Sequence, residues 1–537
     1  MTSRAIDRQP DTSFRFTESL LRLLQRSLND GRRAILVILC LSAACAFNQF
    51  SAILNHDSAW LIHGTEVFLN GGRLYVDVFE LNPPLIIYLT VPPVWVAKQL
   101  HASSIDVFVL YIFLLAVVSL SLIWLTLRET PRLSPFVRNG ILIAVTPVLV
   151  LYPAADFGQR EHLMVILALP YLFLAATRAR WQARDWRLAA AIGVLGAIGF
   201  SIKPHFLLVP LAAECYIAVR ARSLRRLTRP ETLAFAATVT AYVVTIPVFT
   251  PEYLTTIVPF GMAVYDHGFD SPLWRVLLTP WVICLPAVLL FHLVLRKQLV
   301  IAEICDLLCL SAVCFLVIYA VQSKGWSYQA YPIMAMAVLA LSVIFLNVTE
   351  KVLPGRPRGA NATALRSLAL CACVLILVMG TTASRERYSN ETMLRLEPMV
   401  ARLAPGASIY IFSVQVPDGF PLVNYTGVGW SSRFDELWLL PGLVVPGTDA
   451  AASASGIRMR GEIERYLRNA VAEDFTRRPP DLVFVDAAPR KSHFGGIDFD
   501  YIRYFSTDPR FATIWADYTM LGDIDRFQVF GRRPAAE

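Results

Sequence analysis

Charge is scarce in this sequence of 537 residues: Asp, Glu, Lys and Arg together make up 17%, against roughly 25% in soluble domains. A single soluble globular domain and a disordered chain are both excluded on that ground. Histidine is also rare, with 8 residues and no HExxH-type spacing among them. The 9 cysteines all lie in apolar stretches, none forms a CxxC pairing with histidines at zinc spacing, and none lies in the polar C-terminal part. A disulfide scaffold and structural zinc are therefore excluded. No internal repeat of fixed period is visible, which argues against a transporter built from two similar halves.

What the chain does have is apolar sequence, 55% of its residues, with a mean hydropathy of +0.51. The 33 prolines and 11 tryptophans suit a multi-pass membrane protein with broken helices and interfacial aromatics. Apolar runs predict spans at 34–52, 105–127, 139–154, 162–176, 188–201, 205–219, 231–249, 273–295, 303–321, 329–347 and 365–384. The segment 83–100 is apolar too, but it opens on Pro83-Pro84 and is interrupted by Pro92-Pro93. Placing it at the outer interface puts 25 Lys and Arg on the cytoplasmic side and 5 on the other, whereas a full crossing inverts that bias. The positive-inside rule therefore favours eleven spans. The net charge of +8 is then explained by orientation, and nucleic acid is not an expected partner.

Three units follow: a cytoplasmic arm (1–33), a transmembrane domain (34–384) and a polar C-terminal domain (385–537) on the outer, periplasmic side. The tail predicts strands at 408–414 and 481–486, helices at 390–403 and 461–475, and a closing β pair at 511–518 and 526–531. A flexible loop is expected at Gly447–Gly456. The expected fold is thus an all-α polytopic membrane domain with outer interfacial helices, followed by a small soluble α/β domain.

The same parity gathers the unusual polar residues on one face. The first outer loop carries Asp57 and Glu80; Asp57 reads either as the N-cap of a helix over 59–69 or as a general base. The second holds Asp156, Gln159, Arg160, Glu161 and His162, where a tight turn would bring Asp156 and Arg160 together. Lys203, His205 and Lys324 follow on that face, and with Arg160 they form a candidate receptor for a phosphate group. Asp266-His267 occupies a further outer loop. Trp326, Tyr328 and Tyr331 either stack on a sugar ring or belong to an interfacial aromatic belt. A divalent metal held by His56, His63, His162, His205 or His267 with Asp57 or Asp156 remains open, without ligand spacing to support it.

The order of these motifs (Asp57, Phe79–Tyr88 with Glu80-Leu-Asn-Pro-Pro84, then Asp156–His162) resembles the GT-C glycosyltransferases. In pattern it is most similar to the protein O-mannosyltransferases and the lipid A aminoarabinose transferases. The resemblance covers the layout of about 33–346 and implies a membrane glycosyltransferase. Such an enzyme takes a sugar from a polyprenyl-phosphate donor and passes it, usually with inversion, to a glycan, lipid or protein acceptor outside the cytoplasmic membrane. It implies catalytic roles for Asp57, Glu80 and Asp156. One departure is that the related transferase has Glu-Lys-Pro-Pro, whose lysine lies near the donor phosphate. Here that contact is expected from Arg160 or Lys203. A flippase or a ligase for lipid-linked sugars is the alternative reading.

Overall fold

The computed structural model describes residues 25–533, except 27, 132, 180–184, 266–267, 353–387 and 446–453. Most of the expected arm, the span expected at 365–384, Asp266-His267 and the loop stretch up to residue 453 lie outside the described residues. Seven described helices are long and apolar enough to cross a bilayer, and the chain is a multi-pass membrane protein.

The first helix, α1 (Gly31–Phe50), is capped by Asp30 and leaves Ile35, Leu36, Leu39 and Phe47 exposed. Apolar exposure of that kind suits lipid rather than water. After it come α2 (His56–Leu69), α3 (Leu85–Leu100), α4 (Ser104–Arg128), α5 (Pro135–Val150) and α6 (Arg160–Arg178). Every residue of α6 is buried, so it forms the axis of the bundle. Around it stand α7 (Trp186–Phe200), α8 (Leu208–Ala221), α9 (Pro230–Phe249), α10 (Pro280–Leu295), α11 (Ala302–Gln322) and α12 (Ser327–Val352). A Cβ on Gly193 of α7 would lie 2.2 Å from the Glu231 carbonyl oxygen of α9. The small residue there lets two backbones touch, a common device where water cannot drive association.

The chain leaves α1 and enters α4 on one face of the bundle. The Leu54 N–H donates to the Tyr425 hydroxyl (3.1 Å), and Ser104 at the start of α4 donates to Glu66 of α2 (2.7 Å). Asn424, next to Tyr425, donates to the Ala59 carbonyl (3.0 Å). The segments that flank α2 and α3 thus meet the same part of the structure. With 16 residues and Pro92-Pro93 inside it, α3 rises about 24 Å, short of the hydrocarbon thickness of about 30 Å. The span expected at 273–295 is broken: Leu273–Leu277 forms a separate turn, and α10 restarts at Pro280, which fits the first helical position.

The C-terminal domain holds α13 (Glu391–Val400), β1 (Ser408–Phe412), β2 (Gly429–Trp430), α14 (Leu439–Val444), α15 (Ala454–Arg477), β3 (Leu482–Asp486), α16 (Tyr501–Phe505), α17 (Pro509–Trp515), β4 (Tyr518–Ile524) and β5 (Phe527–Arg532). The sheet order is β2-β1-β3-β5-β4, with the first three strands parallel and the last two antiparallel. The closing β pair is therefore β4–β5, and most of the stretch expected as strand at 511–518 is the helix α17. Asp508 caps that helix, and Phe511, Ile514 and Trp515 recur at helical spacing. In open sheets with parallel strands, sites form beyond the carboxyl ends of the strands. The loop after β1 (residues 414–417) faces the helical bundle there.

Docking between the two domains is tight. Phe79, ahead of α3, donates its N–H to the Arg433 carbonyl (2.7 Å) and packs its ring against Phe434, Trp438 and Tyr466. A Cβ on Gly442 of α14 would meet the Val264 carbonyl oxygen at 2.1 Å, so backbone touches backbone at this contact as well.

Candidate active site

Asn55, not Asp57, caps α2: its side chain accepts the Asp57 N–H (2.9 Å), and the helix begins at His56. The cap reading of Asp57 is thereby replaced. Asn55 also donates to the Ala155 carbonyl (3.0 Å) and accepts from the Gln159 amide (2.9 Å), tying the second loop to the first. This brace sets Arg160, the first residue of α6, against Asp57 of α2, with Nη2 donating to Oδ2 at 2.9 Å. The expected Asp156–Arg160 approach is corrected accordingly. Asp156 lies in a single 3-10 turn (Ala154–Asp156) and accepts from the Ser327 hydroxyl at the start of α12 (3.1 and 3.2 Å).

These groups open onto one cavity of about 440 Å3 at the boundary between the helical bundle and the C-terminal domain. Asp57, Glu80, Asp156, Gln159 and Arg160 line it, with Trp326 and Tyr328 among its aromatic walls. The C-terminal domain supplies the far wall, including Asp435, Glu436, Trp438 and His493. Glu80 is held on both oxygens: Oε2 accepts the Trp60 indole N–H (2.6 Å), and Oε1 accepts the Asn82 N–H (2.8 Å). Those bonds make it a strut for the Pro83-Pro84 loop. His56 meets the Tyr388 hydroxyl at 2.9 Å.

Other expected site residues are engaged elsewhere. Lys203 donates to Glu161 (2.6 Å), both buried, with its ammonium 5.4 Å from the Tyr328 ring. Lys324 pairs with Asp270 (2.7 Å) and lies over the Tyr265 ring. His205 packs on Phe206 outside the cavity wall. His162 is fully buried: its Nδ1 accepts the Gly158 N–H (3.0 Å), so Nε2 carries the proton and donates to the Leu149 carbonyl (2.6 Å). It holds the turn at Gly158 (φ +82°) instead of lining the site. Glu161 likewise faces Lys203 rather than the cavity. Tyr331 donates to the Val148 carbonyl within the bundle (2.6 Å).

Electrostatics separates the acids. Burial on its own would raise the Asp57 carboxyl, but Arg160, His56, Lys203 and a bond from Gln159 outweigh it and hold the group below the usual carboxylate range. Asp435 and Glu436 go the other way. Burial pushes both well above that range, aided by Glu80 and Asp57 around Asp435 and by Asp435 itself beside Glu436. Burial lowers His56, against the pull of the Asp57 carboxylate. The Arg160 Nε is buried and has no hydrogen-bond partner among the described residues. Such a donor is costly unless a ligand takes it up. Among the described residues no group of three or more His, Cys, Asp or Glu side chains is placed to hold a metal ion, and His267 lies outside them.

A helical membrane bundle followed by a C-terminal α/β domain, with an aromatic-walled cavity at their seam, is a fold that solved structures also show. Crystal structures of ArnT from Cupriavidus metallidurans share it. The one bound to undecaprenyl phosphate has a TM-score of 0.54 and 10% identity, covering 94% of this chain and 99% of that one. The apo form has a TM-score of 0.52 and 11% identity, covering 92% and 97%. No protein-family model matches the sequence, and neither does any curated protein.

The sequence reading missed Asp435, Glu436 and Trp438. The signal was present as Arg433-Phe-Asp-Glu-Leu-Trp438, an acidic pair between aromatics in an otherwise apolar stretch. Only docking of the two domains shows which cavity that pair faces.

Proposed function

We propose that the protein is an integral-membrane glycosyltransferase. It moves a sugar from a polyprenyl-phosphate donor to a glycan, lipid or protein acceptor of the cell envelope, with inversion. The reaction takes place at the outer face of the cytoplasmic membrane; the N-terminus is cytoplasmic and the C-terminal domain periplasmic, as the bias of Lys and Arg supports. The observation that carries the reading is the Asp57–Arg160 pair at the cavity wall, with the guanidinium only partly used.

Each part has a task. The isoprenoid tail stays in lipid while the phosphate takes the free side of Arg160, whose fork suits phosphate oxygens. Lys203 and Lys324, though paired, add positive potential nearby. As the acceptor oxygen attacks the anomeric carbon, the bond from that carbon to the phosphate oxygen breaks. Arg160 stabilises the charge that develops on the leaving polyprenyl phosphate. The acceptor proton passes to Asp57, with Asp156 as the second candidate. A carboxylate tied to arginine is a poor base. Drawing Arg160 toward the phosphate relieves that tie and raises the proton affinity of Asp57 when the donor is in place. The undecaprenyl phosphate named in the ArnT structure supports a lipid-phosphate donor here.

The test is purified protein in lipid nanodiscs with labelled polyprenyl-phosphate sugars and a panel of acceptors. Stoichiometric release of polyprenyl phosphate with sugar transfer is expected. Intact donor moved across vesicle membranes without release would establish a flippase instead.

A further inference from the structure

We propose that Asp435 and Glu436 of the C-terminal domain are substrate-binding residues that hold the hydroxyls of the transferred sugar. The domain is then a wall of the active site and not merely a cover over it. This inference rests on the glycosyl-transfer reading above.

Position is the first support. Both side chains line the same cavity as Asp57, Glu80, Asp156 and Arg160. The loop that carries them is fixed on either side. Before it, Arg433 is locked to Asp474 (2.9 Å) and Glu473 (3.0 Å) while its carbonyl accepts the Phe79 N–H. After it, the Leu437 N–H donates to the Ser413 carbonyl at 2.9 Å. The loop is thus fixed on both sides of the pair by bonds of other residues.

Cost is the second support. Neither carboxyl has a salt-bridge partner among the described residues; Asp435 accepts the Glu436 N–H (2.8 Å) and Glu436 a backbone bond from Val416, whereas Asp57 is paired with the Arg160 cation. Adjacent acids facing Asp57 and Glu80 repel one another, an expensive arrangement unless a ligand supplies donors. Burial and the neighbouring carboxyl groups push both titrations upward, and a carboxyl group that holds its proton donates as well as accepts hydrogen bonds.

The third support is chemical fit. Trp438 follows the pair in sequence, and the Tyr265 ring lies 5.7 Å from Trp438 and 6.3 Å from Trp326. A sugar offers an apolar ring face to such aromatics and a rim of hydroxyl donors to carboxyl groups. A free phosphate would be repelled by this wall, which leaves the phosphate to Arg160 on the opposite side.

The experiment uses the full-length protein in nanodiscs and the polyprenyl-phosphate release assay. Asp435→Ala and Glu436→Ala are expected to raise KM for the donor about tenfold, with kcat within about threefold of wild type. Asp435→Asn and Glu436→Gln keep hydrogen-bonding groups and are expected to restore KM to within about threefold. Wild-type donor KM in both alanine variants would overturn the proposal. So would amide variants no better than alanine, or a change confined to the acceptor KM. Should an alanine variant fail to fold, the donor KM of the amide variants still decides, because a tenfold rise in both would be contradictory. A wild-type protein that releases no polyprenyl phosphate would count instead against the glycosyl-transfer reading itself.

Discussion

The two halves of the Asp57–Arg160 pair should fail in opposite ways when removed. They are 2.9 Å apart, with side-chain exposures of 15% and 7%. In Arg160→Ala the donor phosphate loses a charge-assisted hydrogen bond, a loss of about 1.5–3 kcal/mol. It also meets an unpaired Asp57 carboxylate. Donor affinity is expected to fall about tenfold to a hundredfold, and Arg160→Lys, which lacks the fork, should fall between. In Asp57→Asn nothing competes with the phosphate for the guanidinium, so donor affinity should hold or improve. Turnover in that variant should drop by about two to four orders of magnitude, as for loss of a general base. The double variant should bind donor better than Arg160→Ala alone, because the repelling carboxylate is gone. Donor binding can be followed with a fluorescent polyprenyl phosphate, and turnover by its release. If Asp57→Asn weakens donor binding as much as Arg160→Ala does, the pair is only a structural tie, and the division of labour between binding and proton transfer is refuted.

Three further outcomes follow from the geometry. Glu80→Gln places an amide N–H2 where the Glu80 carboxylate accepts from Trp60 and Asn82; a destabilisation of about 1–3 kcal/mol is expected, read as a lower melting temperature alongside reduced turnover. An unchanged melting temperature would assign Glu80 to chemistry instead. Gly442→Ala forces a Cβ onto the Val264 carbonyl, so α14 should part from the bundle; faster proteolysis between the domains and loss of turnover are the checks. The third concerns pH. Asp57 titrates below its ordinary value, so its stabilising charge is fully present above the unfolded carboxylate pKa of about 4 and is lost only as pH falls through the lower folded value. The acid limb of kcat/KM for the free enzyme should therefore lie below about pH 4 in the wild type and move upward in Arg160→Ala, where burial acts unopposed. An acid limb that stays in place would remove Asp57 from the limb.

Much of the bundle was legible because apolar run length and the placement of arginines are local properties. The parity that set 83–100 aside as a non-crossing segment follows from charge counting. Placement of Asp57, Asp156 and Arg160 on one face follows from the same parity. Partner choice did not follow, because it depends on braces such as Asn55, whose side chain joins two loops a hundred residues apart. His162 and Lys203 look like site residues in a list of polar groups, yet their geometry spends them on a backbone turn and on Glu161. The helix at Pro509–Trp515 was hidden by aromatic residues that suit strands. The pair at 435–436 lies more than 270 residues from Arg160, and nothing along the chain says that the two share a cavity.

The most direct measurement is an experimental structure of the Asp57→Asn variant trapped with a polyprenyl-phosphate sugar. The expected density has the phosphate within about 3 Å of the Arg160 guanidinium, with the sugar ring between residue 57 and the Asp435–Glu436 wall. A lipid phosphate bound away from Arg160, with the cavity left to solvent, would contradict it.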